Sequence, residues 1–160
     1  MFWGSILLVA SVDIATKEWA RHQLLPEHMA RAMLGDVVRL TLVYNPGAAF
    51  GLYAGPQSRW IFMGLMIVAM IFLARLYRET PEDDGIRALA LGLVMGGAVG
   101  NLVNRIWSTR GVVDFLDVGI GSHRWPTFNV ADIGVSVGAG LLAWVLWKED
   151  VESQRGEPSP

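Results

Sequence analysis

The chain has 160 residues, 52% of them hydrophobic and 18% charged, with a net charge of -2 and no cysteine. This balance is too apolar for a water-soluble domain of that length and points to a membrane protein. A slightly negative charge without a long basic run argues against nucleic acid as a partner, and the missing cysteines exclude disulfides, thiol nucleophiles and thiolate metal sites.

Four apolar runs follow one another along the chain. The first, residues 2–12, has the length of a signal-peptide core, but it lacks a basic leading region and a small-x-small cleavage site before Asp13. It is read as a retained first membrane segment that continues as helix toward Trp19. The others cover residues 60–74, 88–103 and 133–147, bounded by Arg59 and Arg75, by Arg87 and Arg105, and by Asp132 and Lys148. At ~1.5 Å rise per residue the uncharged cores reach only ~18 to 25 Å against a hydrocarbon thickness of ~30 Å. The helices must therefore extend through their polar ends, with flanking Arg and Lys side chains reaching back to water. Trp3, Trp19, Trp60, Trp107, Trp125, Trp144 and Trp147 lie at or just beyond segment ends, as interfacial tryptophans do. Four transmembrane helices put both termini on one side, and the spread of Lys and Arg does not select which side.

Between the first and second runs, residues 37–44 alternate, with Val38, Leu40, Leu42 and Tyr44 on one face and Arg39 and Thr41 on the other. Asn45-Pro46-Gly47 follows as a turn. This predicts a small extramembrane β-sheet between the first and second helices of a mainly α membrane protein. Residues 81–85 read as a solvated loop. Residues 1–148 read as one domain, and residues 149–160 as a polar, disordered tail. The third run carries Gly92, Gly96 and Gly100 and the fourth Gly134 and Gly138, spacings that let helix backbones approach. The two helices are predicted to cross, bringing Asn101, Asn104 and Arg105 beside Asn129 and Asp132.

The carboxylates carry the chemistry. Asp114 stands among Val112, Val113, Phe115 and Leu116, and Asp132 opens the fourth apolar run. A charged side chain at hydrocarbon depth costs ~2.5 to 3.5 kcal/mol on insertion scales, so it is kept for a partner or a task. Two carboxylates brought together cannot both ionise easily, which is the electrostatics of an aspartic protease pair. Blander readings stand beside this one: Asp132 as a wet residue favoured by the helix dipole, Asp114 as a strand-edge residue, and Asp13 with Lys17 as a local ion pair at a helix end. Asp117 is expected to be solvated. Ser108-Thr109 and Ser122-His123 show no nucleophile-and-base pattern. The three histidines, His22, His28 and His123, lack zinc-site spacing, so neither metal nor cofactor is expected.

Five motifs in order resemble the lipoprotein signal peptidase family, also called signal peptidase II. Asp13-Ile14-Ala15-Thr16-Lys17 is similar to D-x-x-T-K, and Asn45-Pro46-Gly47-Ala48-Ala49-Phe50 to N-x-G-A-A-F. Gly96-Gly97-Ala98-Val99-Gly100-Asn101 with Arg105 is similar to G-G-A-x-G-N-x-x-D-R, Val112-Val113-Asp114-Phe115 to V-V-D-F, and Phe128-Asn129-Val130-Ala131-Asp132 to F-N-x-A-D. The resemblance implies an intramembrane aspartyl endopeptidase that cuts diacylglyceryl-modified prolipoproteins before the lipidated cysteine, with Asp114 and Asp132 as the catalytic pair.

It further implies that Asn101, Arg105 and Asn129 hold the pair and the substrate, that Asn45 and Gly47 belong to an extramembrane cradle, and that Asp13, Lys17 and Ala131 support the site. Its partners would be a lipidated prolipoprotein and membrane lipid. Its place would be the bacterial inner membrane, as a monomer with both termini cytoplasmic and the active site near the outer face. Asn104 departs from the pattern, which has Asp immediately before the arginine. It is read as a supporting position that affects the orientation of Arg105, because an amide keeps hydrogen bonds while losing charge. Two other classes remain: a small proton-coupled transporter, which would spread its polar residues through the membrane depth, and a catalytically silent relative that binds prolipoproteins without cutting them.

Overall fold

The computed structural model describes residues 1–47 and 55–155. The Ala48-Ala49-Phe50 part of the second motif lies outside them. Four helices carry the fold: α1 (Phe2–Gln23), α2 (Ser58–Arg78), α3 (Gly85–Trp107) and α4 (Val130–Arg155). Their lengths of 21 to 26 residues correspond to ~32 to 39 Å, so they do extend through their polar ends. α2, α3 and most of α4 are long and apolar enough to cross a membrane. α1 is interrupted by Asp13, Lys17, Glu18 and Arg21, of which Asp13 and Lys17 are buried.

The second element is a four-stranded antiparallel sheet of β1 (Arg31–Leu34), β2 (Val38–Asn45), β3 (Val112–Ile120) and β4 (His123–Arg124), in that spatial order. Only half of it comes from the connection expected to form it, since β3 and β4 belong to the link between α3 and α4. Alternation on β2 marked the inward face at three of its four residues: Leu40, Leu42 and Tyr44 pack with Val113 and Phe115 of β3 on Ala20 of α1 and on Leu24 just beyond it, while Val38 is outside that cluster. Thr41 is buried as well, where the β2–β3 register shifts between Leu40 and Val43. At Asp114 β3 pairs with Val43 of β2 on one side, whereas β4 reaches β3 only at Gly119 and Ile120, so Asp114 has a strand neighbour on one side.

α3 is the central helix and packs against each of the other three. It does cross α4, but its spaced glycines face elsewhere. A Cβ on Gly92 would strike Phe2 and Ser5, one on Gly96 would meet Ile6 and Val9, and one on Gly100 would strike Asp13, all on α1. The crossing with α4 uses Gly97, which lies against Ala131 and Val135, and Gly138, which lies against Ala90 and Val94. α1 therefore fills the side of α3 that carries Gly92, Gly96 and Gly100.

Met1 lies against Gly85, Phe2 stacks on Tyr77 with ring centroids 3.7 Å apart, and Arg87 pairs with Glu149. The N-terminus, the α2–α3 connection and the far part of α4 thus share one end of the bundle, and the sheet caps the other. The loop at 81–85 is closed by Asp84, whose carboxylate accepts from Arg87 N at 2.9 Å and pairs with Arg87 Nε at 2.8 Å. The disordered tail expected from residue 149 is instead helical to Arg155. Its polar residues continue the turn through Lys148–Glu152 at 3.3 Å and Asp150–Gln154 at 2.8 Å. All seven tryptophans are exposed, as an interfacial belt requires.

Candidate active site

The site forms where the sheet meets the helix ends, and its assembly begins with Phe128. The N–H groups of Phe115 and Leu116 both donate to Phe128 O, at 3.0 and 2.8 Å, and Phe128 N donates to Leu116 O at 3.0 Å. Two strand residues opposite one partner make a bulge. Pinning Phe128 there sets the next residue, Asn129, beside Asp114.

Asn129 then caps α4. Its Oδ1 accepts from Asp132 N at 3.0 Å while Asp132 Oδ2 accepts from Asn129 N at 3.1 Å, a reciprocal capping box with aspartate in the third position. The intervening N–H of Ala131 donates to Asp13 Oδ1 at 2.9 Å. Donors that a helix start leaves without intrahelical partners are thus taken up by Asn129 and Asp13.

The Asn129 amide also reaches sideways. Its Nδ2 donates to Asp114 Oδ1 at 2.6 Å, and with longer reach to Asn101 Oδ1 at 3.3 Å. Asn101 Nδ2 donates to Asp132 Oδ1 at 3.0 Å, while its Oδ1 accepts from Lys17 Nζ at 2.7 Å. Lys17 completes the circuit with Asp13 Oδ2 at 2.7 Å. Asp13 and Asn129 are fully buried and Lys17 nearly so, which makes the Asp13–Lys17 pair an interior strut rather than a local pair at a helix end. A buried charge pair holds only when its remaining hydrogen-bond positions are filled, as Ala131 and Asn101 fill them here.

Asp114 and Asp132 differ in surroundings. Asp114, on a strand outside the helices, is 4% exposed, whereas Asp132 is half-buried and opens onto a groove. Burial first, then the charge of Asp132, pushes the Asp114 carboxyl up to about 7, against the opposing pull of Asn129, Asn45 and Lys17. One carboxyl is therefore suited to hold a proton near neutral pH beside a second that accepts hydrogen bonds from Asn101 Nδ2 and Asn129 N. Asn45 serves the turn as well, its Oδ1 accepting from Gly47 N at 3.0 Å. Gly47 has φ +114°, and a Cβ there would stand 2.8 Å from the Phe62 ring.

Arg105 is 7% exposed, and its Nε and Nη1 have no partner among the described residues. Its guanidinium lies 5.3 Å over the Phe62 ring and interacts electrostatically with Asp114 and Asp132. Asn104 does not contact that guanidinium through a hydrogen bond. Its Oδ1 accepts from Val113 N at 2.6 Å, fixing the start of β3 next to Asp114. Asp117, expected to be solvated, is 6% exposed and held by Arg39 at 2.8 Å and Arg124 at 2.7 Å. Burial works to raise its carboxyl, but the two guanidinium groups prevail and hold it below the usual carboxylate range. It belongs to the outer part of the sheet, apart from the network of Asp114 and Asp132.

Sequence reasoning missed Arg59 and Phe62, which appeared only as the border and interior of an apolar run. It also missed the groove. Val118, Trp125, Phe128, Ile133 and Val137, with Ser136, line an open apolar cleft of about 480 Å³ with Asp132 in its wall.

Comparison with known proteins places this geometry in context. A family model described as signal peptidase (SPase) II matches residues 5–148. The lipoprotein signal peptidase of Syntrophotalea carbinolica is 37% identical over 153 residues, 93% of this chain and 94% of that protein. That of Moorella thermoacetica is 39% identical over 140 residues, 88% of each. A bacterial membrane enzyme solved by the in meso method at 2.3 Å resolution shares the fold, with a TM-score of 0.84 at 24% identity over 98% of this chain and 91% of the other. A second, solved at 1.9 Å, gives a TM-score of 0.79 at 25% identity over 89% of both chains.

Proposed function

Because the chain belongs to the signal peptidase II family of aspartic peptidases, we propose that it removes signal peptides from diacylglyceryl-modified prolipoproteins, with Asp114 and Asp132 as its catalytic pair. The observation that carries the assignment is Asn129, which contacts both carboxylates, Asp114 through its side chain at 2.6 Å and Asp132 through its backbone at 3.1 Å.

The two aspartates divide the labour. Asp132, ionised and steadied by Asn101 and Asn129, takes a proton from a water as the water oxygen attacks the scissile carbonyl carbon. Asp114, protonated, donates a hydrogen bond to the carbonyl oxygen as charge develops there. The bond to the cysteine nitrogen then breaks as a proton passes from the pair to that leaving amine. The unpartnered N–H groups of Arg105 are available to substrate carbonyls. Asn101, Asp13, Lys17 and Ala131 hold the pair in place, Asn104 and Asn45 hold β3 and its turn, and Gly47 admits Phe62.

The cleft beside Asp132 suits an apolar occupant, either the signal helix or the acyl chains of the modified cysteine. Four spans are proposed, with α1 as the fourth, since its two buried charges neutralise each other. Both termini then lie on the cytoplasmic side of the inner membrane and the pair near the outer face. The network is complete within one chain, which supports action as a monomer.

Incubating the purified protein with a lipidated prolipoprotein and following the shortened product tests the reading. Cleavage by the parent and none by Asp114→Asn or Asp132→Asn is expected. Capture of the precursor without a cut would make it a silent binding relative.

A further inference from the structure

We propose that Arg59, at the start of α2, is a positioning residue for Arg105, a role that rests on the peptidase reading above. Arg59 Nε donates to the carbonyl of Arg105 at 2.8 Å, and its Nη2 donates to that of Ile106 at 2.9 Å. These are end-of-helix carbonyls of α3, which have no intrahelical donor. The preceding carbonyl, of Asn104, accepts from Ser108 N at 2.9 Å. A cation at a helix C-terminus is also favoured by the dipole, so Arg59 is held there by charge as well as by geometry.

Two neighbours make this more than a helix cap. Phe62, one turn along α2 from Arg59, lies under the Arg105 guanidinium at 5.3 Å and is packed in turn against Gly47. The start of α2 therefore holds Arg105 twice, by its backbone through Arg59 and by its side chain through Phe62. The same guanidinium has two nitrogens, Nε and Nη1, without a hydrogen-bond partner among the described residues, and it interacts electrostatically with both catalytic carboxylates. A charged group with so few hydrogen bonds of its own needs an external hold to keep its aim. α2 supplies that hold, although most of its surface is exposed and it contributes no group to the Asp114–Asp132 network.

A double-mutant cycle tests the assignment. kcat and KM are measured on one lipidated precursor for the parent, Arg59→Ala, Arg105→Ala and the double variant, with thermal unfolding in the same detergent. If Arg59 acts through Arg105, Arg59→Ala lowers kcat by about tenfold or more, the scale of a misplaced active-site group. The double variant then falls no lower than Arg105→Ala alone. Arg59→Lys, which keeps the charge and can serve one carbonyl, recovers part of the loss. Losses that multiply in the double variant, or an Arg59→Ala enzyme with the parent's kcat, overturn the proposal while leaving the peptidase reading intact. A parent that does not cut sinks both. If Arg59→Ala does not fold, Arg59→Lys takes its place in the cycle: a smaller kcat loss that vanishes in the Arg105→Ala background supports the proposal, and one that multiplies overturns it.

Discussion

Asn129 meets three demands at one position: its Oδ1 caps α4, its Nδ2 binds Asp114 and its backbone N–H binds Asp132. Replacing it with aspartate would put a third carboxylate among two that already repel each other, so Asn129→Asp is expected to cost more activity than Asn129→Ala. The repulsion also sets the pH response. The Asp114 carboxyl is raised to about 7 by burial and by Asp132, so the folded protein holds a proton there that an unfolded chain releases near pH 4. Stability from this group is complete below that lower value and is lost as pH rises through about 7. Cleavage should decline over the same upper limb, because the protonated form donates to the carbonyl. Asp132→Asn removes a charge that raises Asp114, so the infrared carboxyl band of Asp114 should vanish at lower pH in that variant than in the parent. An unmoved band would show that the two carboxylates do not feel each other. Asn104 is more tolerant by the same reasoning. Its structural task is to accept the Val113 N–H, which a carboxylate does equally well, so Asn104→Asp should keep activity within about tenfold of the parent, ~1.4 kcal/mol in the barrier. Activity appearing from nothing would mean the position supplies a catalytic carboxylate.

At the scale of helices and strands, local pattern was a good guide to existence and a poor one to partnership. The four helices and the alternating strand at residues 37–44 followed from apolar runs and period. Which helix each glycine faces did not, because glycines spaced four apart mark a face that packs closely without naming what packs on it. Gly100 shows the difference, for it leaves room for Asp13 and thereby for the Lys17 strut to Asn101. Asp117 failed for a related reason. Arg39, one of its partners, is 78 residues away in sequence, and only the β2–β3 register brings them together. Gly100→Ala should thus destabilise the protein by about 1 to 3 kcal/mol through overpacking, and depress activity through Asp13. Gly140→Ala, where a Cβ meets nothing within 4 Å, should be neutral or gain up to ~1 kcal/mol of helix stability. Thermal unfolding of both variants in one detergent checks the contrast, and equal shifts would remove the close α1–α3 approach as its cause.

The whole molecule has polar ends with different jobs. At one end Arg87, Asp84 and Glu149 tie the α2–α3 connection to α4, while at the other the sheet roofs the carboxylate pair. If the bundle spans the membrane with four helices, residues of these two ends face opposite aqueous compartments. A chain without cysteine is well suited to test this, since any thiol introduced is the single reactive one. Asp83→Cys and Ser153→Cys lie at the first end and Ser122→Cys at the second, each at an exposed position away from the Asp114–Asp132 network. In intact cells a membrane-impermeant maleimide should label Ser122→Cys alone. Asp83→Cys and Ser153→Cys should react only after the membrane is opened. Three-span threading, with α1 lying outside the bilayer, would still place these sites as four spans do, so Gly4→Cys is the deciding position. Gly4 is exposed, with room for a side chain. Protection of Gly4→Cys from outside reagent, matching Ser153→Cys, is expected if α1 crosses, because the paired Asp13 and Lys17 then enter the membrane as a neutral unit. Labelling of Gly4→Cys from outside, together with Ser122→Cys, would instead leave α1 on the outer surface and remove the basis for a fourth span.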